Sequence, residues 1–219
     1  MPRKIFDREL SDLISSMAET GNAVQSRIQK TVTALRTSNI TIAGEVAGSD
    51  GEIDRMIRQC EKKCMDLIVL QQPIAKDFRV IAACLKILTD VEREADQCAD
   101  ICEILTTGEL KDSCLAAAHV AAMLETAGSM FRRSMNVLLN RDVSEARRIC
   151  RTDDEVDLMF SRIILEVSSI ISENPGNVMK EVDLLFITKY AERMGDHATN
   201  IAEWVIFMET GEHPDLNAK

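Results

Sequence analysis

Carboxylates recur in this chain at a spacing suited to holding a cation. Residues 92–103 read Glu-Arg-Glu-Ala-Asp-Gln-Cys-Ala-Asp-Ile-Cys-Glu, and residues 192–203 read Glu-Arg-Met-Gly-Asp-His-Ala-Thr-Asn-Ile-Ala-Glu. A second pair of segments matches in the same order: Asp-Gly-Glu-Ile-Asp-Arg-Met at 50–56 and Asp-Asp-Glu-Val-Asp-Leu-Met at 153–159. The offsets are 100 and 103 residues, so the chain carries an internal duplication. What recurs is Asp50/Asp54 with Asp153/Asp157, and Glu92/Asp96 with Glu192/Asp196. Oxygen donors in such sets suit hard and borderline metal ions.

These side chains need elements that bring them level. Residues four apart share one face of a helix. If consecutive helices turn near Pro73, Asp54 lies 19 residues before the turn and Glu92 lies 19 after, while Asp50 and Asp96 each lie 23 away. At one rise per residue the pairs reach the same height. Around Pro175 the distances are 18 and 17 for Asp157 and Glu192, and 22 and 21 for Asp153 and Asp196. The spacing therefore predicts two clusters of four carboxylates each.

Isolated acidic pairs at this spacing are expected by chance roughly six times in a chain this acidic, so one pair carries nothing. Duplication and level placement carry the case, as does the apolar flank, since Leu85, Leu88 and Ala99 share the face of Glu92. Four anions gathered in a half-dry place must be protonated, paired or metal-bound. Pairing is the competing reading, because Arg93 and Arg193 follow Glu92 and Glu192.

Composition favours long helices. Among 219 residues there are 9 Gly and 4 Pro, and aromatics make up 4%. Six helices are expected, at 4–36, 40–71, 75–107, 110–140, 142–173 and 178–210, with Gly51 inside the second as a weak point. Ile5, Leu10, Leu13, Met17, Val24, Ile28 and Leu35 recur at helical spacing in the first. Long helices with short loops pack antiparallel. The expected fold is all-α: two tandem three-helix bundles, residues 1–108 and 109–219, related by the duplication.

The net charge of −10 argues against nucleic acid as a partner. No apolar run approaches the ~18–20 residues of a membrane span, so a cytoplasmic location without membrane insertion is expected. Seven cysteines, an odd number, fit reduced thiols better than a disulfide framework.

The segment from Glu192 to Trp204 resembles the signature of the PhoU family, and Gln72-Pro-Ile-Ala-Lys-Asp-Phe-Arg79 resembles that family's stretch between its second and third helices. The resemblance extends over nearly the whole chain. It implies two three-helix bundles whose Glu/Asp-x-x-x-Asp motifs bind transition metal, iron or zinc, in multinuclear clusters. It also implies a negative regulator of phosphate transport and homeostasis. Such a protein restrains uptake by the phosphate ABC transporter, whose ATPase subunit is the expected partner. It also holds the phosphate-responsive histidine kinase off. A homodimer is compatible with this role, and no enzymatic activity is implied. Residue by residue, Glu192, Asp196 and Asn200 match the third-helix pattern in the second repeat. Glu92 and Asp96 match it in the first, with Asp100 in place of Asn. Asp50/Asp54 and Asp153/Asp157 match the second-helix motif. The first repeat departs from the second at Glu94, Ala95 and Cys98, where the second has Met194, Gly195 and Ala198.

Other residues invite chemistry less strongly. His197 points about 100° away from Asp196 on a helix, which suits helix packing better than ligation. His119 has no acidic partner at helical spacing and defaults to core or surface. Cys60, Cys64 and Cys84 fall at neighbouring heights, but free Cys is more often a small buried hydrophobe. The alternative function is a carboxylate-bridged metal hydrolase or oxidase on a helical bundle. It lacks His ligands and an obvious proton-transfer residue, so no catalytic residues are assigned.

Overall fold

In a computed structural model the described residues are 2–107, 115–173, 176 and 178–212, with the side chains of 2, 50 and 115 outside that description. The described residues are almost entirely helical and contain no strand. The helices are α1 (Pro2–Thr37), α2 (Ile40–Ala47), α3 (Asp50–Gln71), α4 (Ala75–Thr106), α5 (Leu115–Asn140), α6 (Val143–Glu173) and α7 (Val178–Thr210).

The helix expected over 40–71 is two helices, and the break falls at Gly48–Ser49 rather than at Gly51. The backbone N–H of Gly48 donates to Gly44 O at 3.1 Å and that of Ser49 to Val46 O at 3.2 Å, which ends α2. Arg27 fixes the corner from α1, donating to Val46 O and to Ser49 Oγ, both at 2.9 Å. A buried guanidinium thus joins Ser49 on the Val46 carbonyl and ties the corner to α1. Gly51 sits in the first turn of α3, where a glycine disturbs little. At the far end of α3, Gln72 adopts a left-handed φ of 44°, and Pro73 follows to stop the helix. The turn near Pro175 and the expected boundary at 108/109 lie outside the described residues.

Four long helices close a ring: α1 packs on α4 and α5, and α7 packs on the same two. Outside the ring, α3 lies against α1 and α4, and α6 lies against α5 and α7. Each repeat is therefore a three-helix bundle (α1, α3, α4 and α5, α6, α7), and the two share one apolar core.

The repeats meet about a quasi-two-fold axis. Asp90 of α4 reaches Asn200 of α7, while Tyr190 of α7 lies beside Asp100 of α4, so these helices run antiparallel. Helices α1 and α5 do the same through glycines. A Cβ on Gly21 would come within 2.7 Å of Met135 Cε, and one on Gly128 within 2.7 Å of Ile28 Cγ2. Both the glycines and their partners lie 107 residues apart, so the duplication reaches the first helix of each repeat. Hydrogen in place of a methyl group lets the two backbones approach this closely.

Candidate functional site: the carboxylate faces

Each repeat presents its carboxylates where its outer helix crosses its third helix. In the second repeat, Asp153 and Asp157 come from α6, and Glu192 and Asp196 from α7. The levels match the spacing argument: Asp153 lies within electrostatic reach of Asp196, and Asp196 of Asp157. Burial pushes the Asp153 carboxyl up to about 6, and the neighbouring Asp196 and Asp157 add to it. Asp196 is raised by burial and by Glu192, with Lys189 opposing. Gly195 permits the approach. A Cβ there would sit 3.2 Å from Val156 Cγ1 and 3.3 Å from Asp153 Oδ1.

The first repeat is built alike from α3 and α4. Burial raises the Glu92 carboxyl, and Asp96, Glu61 and Asp54 raise it further while Arg93 opposes. Asp54 therefore faces Glu92 across the helices, as its height required. Asp50 opens α3, but its side chain lies outside the described residues.

Cations already serve these faces. Arg58 reaches Asp54 at 3.7 Å and Arg93 reaches Asp96 at 3.1 Å, while Lys189 pairs with Glu192. Among the described residues, no three carboxylate, His or Cys groups converge closely enough to hold one metal ion. The donors nevertheless fit one chemically: they are mutually repelling oxygens, half-buried apart from the exposed Asp196. An ion would displace Arg58, Arg93 and Lys189 from partners that solvent already weakens.

Two other assigned positions face the centre of the molecule. Asn200 spends its amide on Asp90 Oδ1 at 3.1 Å, and Asp100 lies beside Tyr190. Both belong to the seam between repeats. His197 joins it as a packing residue, with Nδ1 2.9 Å from Asp90 Oδ1. Asp90, absent from the sequence reading, is thus the hub of a buried clasp. Its only linear signal is its place on the apolar side of α4, and the repeat has Tyr at the corresponding position.

Glu94 stood out in the sequence only as a departure from the second repeat, with nothing to show its burial. It is fully buried where the second repeat has Met194, and neither carboxyl oxygen has a hydrogen-bond partner among the described residues. Burial, with Asp90 one turn away, drives its pKa well above the usual carboxylate range, which favours the neutral acid. His119 is an exposed surface residue, 2.7 Å from Glu166 of α6. Among the described residues five cysteines are buried, and burial holds the Cys64 thiol up at about 12, as for inert core residues.

Fold and faces together define a class: a duplicated all-helical bundle whose outer helices turn carboxylates toward the third helix of each repeat. The PhoU domain matches this chain twice, over residues 17–105 and 120–205, once per repeat. The chain belongs to the PhoU family. It is 34% identical over 220 residues to the phosphate-specific transport system accessory protein PhoU homolog of Clostridium acetobutylicum, covering 99% of this chain and 100% of that one. The homolog of Zymomonas mobilis is 32% identical over 209 residues, covering 95% and 88%. The crystal structure of PhoU from Pseudomonas aeruginosa superposes with a TM-score of 0.91 at 25% identity, covering 94% of this chain and 100% of that one. The phosphate transport system regulatory protein PhoU from Streptococcus pneumoniae gives 0.88 at 25% identity, covering 96% and 99%.

Proposed function

We propose that this protein is a cytoplasmic negative regulator of phosphate uptake and of phosphate-responsive histidine-kinase signalling, and that it binds transition metal on its carboxylate faces. The observation that carries the regulatory reading is full-length similarity, in sequence and in fold, to proteins named as phosphate transport accessory or regulatory proteins. The absence of a helix long and apolar enough to cross a membrane, among the described residues, is compatible with docking on the transporter's ATPase subunit. Metal binding is supported by the raised carboxyls of Asp153, Asp196 and Glu92, three groups crowded by like charge.

A bound cation would supply positive charge and cross-link the outer helix to the third helix of a repeat. Asp153, Asp157, Glu192 and Asp196 are its donors in the second repeat, and Asp54, Glu92 and Asp96 in the first. Gly195 keeps the second pair of helices close, whereas Ala95 occupies that place in the first. The two faces should therefore differ in affinity.

Deletion of the gene should derepress phosphate uptake in phosphate-replete cells. Elemental analysis of untagged protein should find transition metal, reduced in Asp196→Ala. Unchanged uptake would sink the regulatory reading, and equal metal in both proteins would sink the site assignment.

A further inference from the structure

The groove between α5 and α6 holds a cavity of about 220 Å³ that shares no residue with the carboxylate faces. Ala122, Met159 and Ile163 give it an apolar lining, and His119, Arg162 and Glu166 add three polar groups. His119 comes from α5, and its Nδ1 lies 2.7 Å from Glu166 Oε2 of α6. An ionised carboxylate only accepts, so Nδ1 is the donor and the lone pair of the neutral ring sits on Nε2. Nε2 has no hydrogen-bond partner among the described residues, and the His119 side chain is 51% exposed.

Arg162 stands one turn before Glu166 on α6. It is exposed and has no partner among the described residues, because the carboxylate within its reach is engaged by His119. The next carboxylates along α6, Glu155 and Glu173, lie seven residues from Arg162 and from Glu166, about 10 Å away. Glu125 of α5 is paired with Arg36 of α1. The cavity therefore combines an oriented imidazole, whose second nitrogen is open, with a guanidinium available to an oxyanion.

The duplication supplies an internal control. At the offsets of 107 for α5 and 103 for α6, His119, Arg162 and Glu166 correspond to Asp12, Gln59 and Lys63. Lys63 turns to Ser16 Oγ, and Asp12 to Arg8 on its own helix. The first repeat builds the same bundle without imidazole or guanidinium at these places, so the fold does not require them.

We propose that His119 is a phosphoryl acceptor, modified on Nε2 by an acyl phosphate. The Nε2 lone pair forms the N–P bond, and the P–O bond to the acyl group breaks, its electron pair leaving on the carboxylate product. Glu166, a positioning residue, meets the positive charge that this puts on the ring through Nδ1–H. Arg162 binds the phosphoryl oxygens, and the apolar lining strengthens that contact by excluding water.

The probe is acetyl phosphate added to the full chain at neutral pH and read by intact mass. The wild type should gain one phosphoryl group, stable to alkali and lost in mild acid, that maps to His119, with phosphorus NMR placing it on Nε2. His119→Asn, whose amide still donates to Glu166, should gain none. Arg162→Gln should label roughly tenfold more slowly, short of the roughly hundredfold of a buried oxyanion site because this one is open to water. Glu166→Ala frees Nδ1 and should yield both phosphohistidine isomers, a change that a merely structural role would not produce. Circular dichroism should show all three variants helical, since these side chains lie outside the core. The absence of an adduct on the wild type would overturn the proposal, as would an acetyl adduct in its place or equal labelling of His119→Asn. So would a labelling rate no faster than that of protein unfolded in urea, which would reduce the effect to ordinary imidazole reactivity.

Discussion

Asp153 shows how one side chain can be legible and still incomplete. Its position in the motif is readable, but its proton affinity depends on Asp196 and Asp157 arriving from across the bundle. With a folded value of about 6, raised above the ordinary value near 4, the metal-free fold favours the protonated form. The contribution is fully present below the unfolded value and is lost as pH rises through the folded one. Two units are about 3 kcal/mol, which solvent screening of this half-exposed group reduces to about 1, so Asp153→Asn should raise the unfolding free energy of metal-free protein by about 1 kcal/mol near pH 8 and by nearly nothing near pH 4. Thermal unfolding in chelator at the two pH values checks this. A pH-independent effect would place the gain elsewhere.

At the level of elements, the seam between α1 and α5 depends on two glycines with unequal neighbours. Gly128 faces Cγ2 of Ile28, a β-branched side chain with one favoured rotamer. Gly21 faces Cε of Met135, the free end of a flexible chain. Alanine gains about 1 kcal/mol of helix propensity at either site. Overpacking costs about 1–3 kcal/mol where the neighbour cannot yield. Gly128→Ala should thus destabilise by up to about 2 kcal/mol, while Gly21→Ala should be neutral or slightly stabilising. Urea denaturation of the pair decides it, and equal destabilisation would refute the flexibility argument.

On the scale of the whole molecule, the repeats are not independent. The ring of α1, α4, α7 and α5 places the best-buried side chains, among them Ile87, Leu88, Met123, Phe131 and Leu138, in one core spanning both halves. Each fully buried apolar side chain contributes ~1.5–3 kcal/mol. Asp90 binds His197 and Asn200 across the same boundary. Residues 1–108 expressed alone should therefore be poorly folded, with weak near-ultraviolet dichroism and binding of a hydrophobic dye. Mixing with 109–219 should restore the signal. A cooperatively folded isolated half would contradict a shared core.

Periodicity, scarce glycine and proline, and the duplication sufficed for the helical class, most helix limits and the heights of the carboxylates, because these follow from the regular rise of a helix along the chain. The break at Gly48–Ser49 escaped, since the side chain that braces it, Arg27 on Val46 O and Ser49 Oγ, comes from α1. Asn200 fits a linear motif, yet its amide serves Asp90, because helix rotation against a neighbour is fixed by packing and not by local spacing. Glu94 and Met194 stand at matching positions, but only the fold reveals that one is a buried acid, because burial depends on what covers a residue. The sequence by itself determined which residues share a face and a level. Tertiary structure decided which of those faces meet and which charges lose water.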